Sequence, residues 1–144
     1  MENVPHLYIA TASGKKSGAV ITGSRQCPPL LVAEPKEFDG AGDHWSPEQI
    51  FVAMVADCLI LTFRAIASAS KFSWMDIECN AQGVLERVNG VNKFTKIDVE
   101  VTLMLSSEAD ENKGLRLLTK AENQCLIKNS INAQTNFLNK IRVQ

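Results

Sequence analysis

The sequence predicts an α+β protein with a mainly antiparallel sheet. Three observations carry this. A capped, strongly apolar helix occupies 46–70, and Asn89-Gly90 joins two strand-like runs. The order of segments is strands, long helix, hairpin, second helix, last strand.

The first strands are short. Residues 6–12 (HLYIATA) and 18–24 (GAVITGS) read as a pair, with 14–17 as the turn between them. Residues 30–34 make a third, preceded by Pro28 and Pro29 and ended by Pro35. A glycine-containing loop, KEFDGAGDHW, leads to the helix and is a candidate functional segment.

Residues 46–70 read SPEQIFVAMVADCLILTFRAIASAS. Ser46 is a good N-cap, Pro47 suits the first helical position, and Gln49 can complete a capping box. The apolar run from 50 to 67 is broken by Asp57, Thr62 and Arg64. A helix apolar nearly all round belongs in a core. One sheet cannot cover every face of it, so a homodimer is expected, with a partner subunit as the second layer. The run reads as too short and too interrupted for a membrane span, which takes about 20 mostly uncharged residues.

Residues 74–88 have strand character, with Gly83 a candidate bulge. Asn89-Gly90 is a strong two-residue hairpin signal. The run 91–105 returns with apolar Phe94, Ile97, Val99, Val101 and Leu103 spaced by polar residues. A second helix is expected over 110–123 with Leu115, Leu117, Leu118 and Ala121, and a last strand over 133–143.

Composition bounds the function. The chain has 144 residues, 45% of them apolar and 22% charged, which suits a single globular domain. Its formal net charge of −1 gives no reason to expect nucleic acid or an anionic membrane as partner. The first residues lack a basic, apolar and small-residue series, so a cytoplasmic protein is expected. Four cysteines, Cys27, Cys58, Cys79 and Cys125, form no CxxC pair, and His6 and His44 have no ligand partners at useful spacing. Neither a metal nor an organic cofactor is expected. Cys79 alternates with strand neighbours and reads as a core thiol, and Cys27 lies in a proline-rich loop as an incidental one. Free cysteine is among the most buried residue types, so Cys58 by itself also reads as core.

Taken together, several pieces are similar to the OsmC/Ohr family of thiol peroxidases. They are the loop FDGAGDHW, SPEQIF opening the central helix, ADC at its middle, the strand FTKIDVEVTL, and AENQC. Glu48 and Cys58 stand ten residues apart, as in the family's Pro-Glu and Ala-x-Cys series, and Ala121 to Cys125 match its second cysteine segment. The resemblance covers about residues 6–143. It implies one OsmC-like domain, with a sheet wrapped around central helices in an intertwined homodimer and active sites at the subunit interface. It implies Cys58 as the peroxidatic thiolate, Cys125 as the resolving thiol and Glu48 as the acid of the helix start. The family's upstream arginine is missing. Of Lys15, Lys16, Lys36 and Arg25, Lys15 lies in the turn segment where that arginine falls. The family's proline after the second cysteine is Leu126 here.

The implied chemistry is reduction of an organic hydroperoxide by a thiolate, then a Cys58–Cys125 disulfide, then reset by an external dithiol. It needs a depressed thiol pKa. Cys58 sits mid-helix, where its own helix gives little help, so an imported cation is expected, Lys15 first. Glu48 lies about 15 Å from Cys58 at about 1.5 Å per residue. It can join the site only from a partner subunit or through a bridging cation. Its position in the first turn also suits the helix dipole without any catalytic role. Trp45, Phe51 and Met54 can line an apolar pocket or simply pack. The alternatives are a non-catalytic OsmC-like dimer that binds a small molecule, and a redox sensor whose disulfide changes a partner surface.

Overall fold

The computed structural model describes residues 3–144. The chain forms two compact units, one up to Ile50 and one from Phe51 to Gln144.

The first unit carries an antiparallel sheet of β1 (Thr11–Ser13), β2 (Val20–Gly23) and β3 (Leu30–Val32), in that order. Residues 6–10 lie outside it. The β1–β2 ladder stops at Thr11 opposite Gly23, and the chain turns beyond Gly23. Residues 6–10 therefore add no rungs to this ladder, and Ser24 Oγ donates to the Ile9 carbonyl at 2.8 Å. Leu7 is 91% exposed and Tyr8 88%. After β3 the loop returns so that Ala33 donates to the Trp45 carbonyl at 2.9 Å. This places Ser46 to start the helix. The capping box forms in both directions. Gln49 N–H donates to Ser46 Oγ at 3.2 Å, and Ser46 N–H donates to Gln49 Oε1 at 3.1 Å.

Helix α1 runs Pro47–Ala69. By length and composition it does reach the size of a membrane span, with 23 residues and a mean hydropathy of 2.1, contrary to the sequence reading. Its stripe of Val55, Leu59, Phe63, Ile66 and Ala67 is instead the protein's own core. The helix is not buried all round: Met54 is 37% exposed and Leu61 59%.

The second unit holds a sheet in the order β4 (Asp76–Val88), β5 (Val91–Leu105) and β6 (Gln134–Val143). β4 and β5 form the expected hairpin. Asn89 and Gly90 turn it with φ of 50° and 82°, the left-handed pair that a tight hairpin requires. β6 lies parallel to β5, from Lys96↔Gln134 to Leu105↔Val143. Against the mainly antiparallel pairing expected and found elsewhere, this one pair is parallel because a helical crossover, and no short turn, brings the chain back to β5 on the side away from β4. The irregularity in the hairpin falls between Val84 and Leu85, leaving Thr95 opposite neither, one residue beyond the expected Gly83.

Every second residue of β5 from Ile97 to Leu105 is buried. This face receives the α1 stripe and one face of α2 (Glu111–Gln124), which presents Gly114, Leu118 and Ala121. Gly114 permits the approach: a Cβ there would stand 3.2 Å from Leu103. A short α3 (Leu126–Asn129), which the sequence reading did not foresee, follows directly.

Candidate active site

The spacing of the α2 core stripe explains where Cys125 goes. Gly114, Leu118, Ala121 and Cys125 recur at helical intervals, and all are buried. Cys125 ends α2 and precedes α3, with φ −64° and ψ 109°. That extended ψ breaks the helix for one residue. The first N–H groups of α3 consequently have no carbonyl behind them within a helix. Asn129 N–H resumes the pattern by donating to Cys125 O at 3.0 Å.

Those N–H groups face sulfur. Cys58 lies half-buried on α1, beside the buried Leu59. Burial alone would push its thiol up. The backbone N–H of Ile127, the Cys125 thiol, the Thr62 hydroxyl and the Leu126 N–H outweigh burial and bring it below the ordinary value of 9.0. Thr62 Oγ1 stands 3.9 Å from Cys58 Sγ. Cys125 moves the other way. Burial pushes it up to about 11, the N–H of Lys128 opposes this, and hydrogen bonding to Cys58 and its charge add to the rise. The two thiols thus differ: Cys58 ionises more readily than Cys125.

The remaining candidates are placed as follows. Lys15 stands exposed in the turn between β1 and β2. The groups acting on Cys58 come from residues 62 and 125–127 and include no cation, whereas the sequence predicts an imported one, Lys15 first. Thr62 was legible as an i+4 neighbour of Cys58, whereas nothing in LIKN announced α3. Glu48 sits in the first turn of α1, and its Oε2 is buried with no hydrogen-bond partner among the described residues. Phe51 is a packing residue, stacked on Phe94 with ring centroids 4.9 Å apart. Cys79 packs against the core, and its thiol is pushed up to about 11 by burial, then by Asp57 and Glu78. Cys27 is exposed. Among the described residues, no group of three or more His, Cys, Asp or Glu could hold a metal ion.

A helix-borne thiol, paired with a second thiol beyond the next helix, can be compared with known proteins. The profile of the OsmC-like protein family matches residues 40–138. The chain belongs to the OsmC-like family. An organic hydroperoxide resistance protein of Xanthomonas axonopodis pv. citri is 35% identical over 71 residues, which is 49% of each chain. The alignment therefore spans about half of that relative. Among solved structures, an OsmC-like protein of unknown function from Vibrio cholerae O1 biovar eltor superposes with a TM-score of 0.84 at 19% identity. It covers 96% of this chain and all of its own. An organic hydroperoxide resistance protein from Legionella pneumophila superposes with a TM-score of 0.73 at 26% identity, covering 98% of this chain and all of its own. The OsmC fold, a mixed sheet-and-helix architecture, is thereby established for this chain, as the sequence resemblance anticipated.

Proposed function

We propose that this OsmC-like protein reduces organic hydroperoxides by a two-cysteine mechanism. The observation that carries the reading is the opposed ionisation of two interacting thiols, Cys58 lowered and Cys125 raised. Hydroperoxide-resistance relatives support the same substrate class. Exposed Met54, Leu61 and Leu126 supply apolar surface suited to an organic tail.

In the proposed cycle the Cys58 thiolate attacks the outer oxygen of ROOH. The O–O bond breaks, an S–O bond forms, and the leaving alkoxide takes a proton to become ROH. Sulfur is oxidised by two electrons to sulfenic acid as the peroxide is reduced. Cys125 then attacks the sulfenic sulfur, an S–S bond forms, and hydroxide leaves with the Cys125 proton as water. An external dithiol exchanges with the Cys58–Cys125 disulfide and restores both thiols.

The reading extends to a cytoplasmic homodimer. The open apolar side of α1 supports a second subunit. In that assembly the orphaned carboxylate oxygen of Glu48 takes a cation, with Lys15 as its candidate. The test is intact mass and peptide mapping of reduced protein after one equivalent of cumene hydroperoxide, followed by turnover with dithiothreitol. A Cys58–Cys125 disulfide with repeated turnover is expected. Unchanged mass overturns the reading, and a stoichiometric disulfide without turnover replaces it with a redox sensor.

A further inference from the structure

A threonine inside a helix ordinarily turns its hydroxyl back to the carbonyl four residues earlier. Thr119 does this, donating to Leu115 O at 3.1 Å. Thr62 has Cys58 at that same distance in sequence, yet its hydroxyl meets the sulfur of Cys58 at 3.9 Å. The Leu126 and Ile127 N–H groups, from a different element, act on the same sulfur. We propose that Thr62 is a further catalytic residue of this site, its hydroxyl donating to the Cys58 thiolate alongside the backbone N–H groups of Leu126 and Ile127. The sulfur is then held as an anion by neutral donors from two separate elements.

The inference deepens the hydroperoxide-reductase reading and rests on it for the word catalytic. The interaction itself can be read without turnover. An anion accepts hydrogen bonds more strongly than a neutral thiol, so each donor favours the ionised form. Asp57, the neighbouring acid on α1, is adjacent in sequence and does not share the Cys58 face. Cys125 is the titratable group that acts on Cys58.

The experiment is the pH profile of Cys58 alkylation by iodoacetamide, followed by peptide mapping, in the full-length protein. Thr62→Val keeps the side-chain shape and removes the hydroxyl. It should move the profile to higher pH and slow alkylation near neutral pH by roughly threefold to tenfold. Thr62→Ser should restore most of the rate. Leu126→Pro is a second arm, on the donor from the other element. Leu126 is the first residue of α3 and follows an extended residue, the backbone setting that proline accepts. It removes one N–H and should shift the profile in the same direction. Superimposable profiles for Thr62→Val and parent overturn the proposal. A shifted Thr62→Val profile in a protein that turns over no hydroperoxide sustains the thiolate contact and removes the peroxidase reading instead.

Discussion

Cys58 and Cys125 act on each other's ionisation, and the pair is polarised: one sulfur below the ordinary thiol value, the other up at about 11. An order of reactivity follows. The thiolate is the nucleophile, so alkylation rate follows the ionised fraction. Near pH 8, Cys58 should label ahead of Cys125 by roughly a hundredfold or more. Differential alkylation with light and heavy reagents, mapped by mass, measures this directly. Equal labelling of the two would mean that no division of roles exists.

In the proposed cycle Cys125 also protects Cys58. Removing it leaves the sulfenic acid without a partner, open to a second oxidation. Cys125→Ser should consume hydroperoxide once and then gain oxygen at Cys58, ending as sulfinic acid under excess oxidant. The parent should end as an internal disulfide. Dimedone should trap the sulfenic acid in Cys125→Ser and not in Cys58→Ser. A disulfide that still forms in Cys125→Ser within one chain would assign the resolving role to Cys79 or Cys27.

Cys79 makes a prediction about stability. In the folded protein its thiol stays protonated until about pH 11, whereas an ordinary thiol ionises near 9.0. Between those values the unfolded chain binds fewer protons at this position than the folded chain. Stability contributed by the neutral buried thiol is therefore full below pH 9 and declines as pH rises toward 11. Cys79→Ala removes this contribution. Urea unfolding at about pH 8 and about pH 10.5 should show the parent losing more stability than the variant. The Cys125 thiol adds to the decline in both proteins and drops out of the comparison. A parent-to-variant difference that stays constant with pH would refute the burial argument.

The legibility of the fold varied with the range of the interactions behind it. Ser46, Pro47 and Gln49 announced α1 because capping is decided within one turn of chain. The alternation of Ile97, Val99, Val101 and Leu103 announced β5 because the buried face imposes a period of two. Residues 6–10 looked like strand and are not, since β propensity does not create a neighbour to pair with. The parallel placement of β6 depends on what α2 and α3 do between the strands, and no residue of 133–143 encodes it. At the candidate site, Cys58 and Cys125 entered through the family resemblance. Their donors were not legible, because the N–H groups of Leu126 and Ile127 exist only through the backbone break at Cys125.

Gly83 illustrates the same point at the level of packing and yields a direct test. The sequence marks it as a bulge, but the ladder continues past it and the irregularity falls at Val84 and Leu85. Its absent side chain serves α1 instead. A Cβ at this position would lie 2.5 Å from Val52 Cγ2 and 2.8 Å from Phe94 Cε1, well inside van der Waals distance. Phe94 stacks on Phe51 of α1, so a shift of its ring disturbs a contact with the start of the core helix. Gly83→Ala should destabilise the protein by about 1–3 kcal/mol, the usual cost of overpacking. A second substitution, Val52→Ala, vacates the nearer clash. The double variant should be less destabilised than the two single effects added together, by about 0.5 kcal/mol or more. Denaturant unfolding of the four proteins closes the cycle. Strict additivity would mean that β4 relaxes away from α1, and that glycine here sets no limit on how closely the helix carrying Cys58 approaches the sheet.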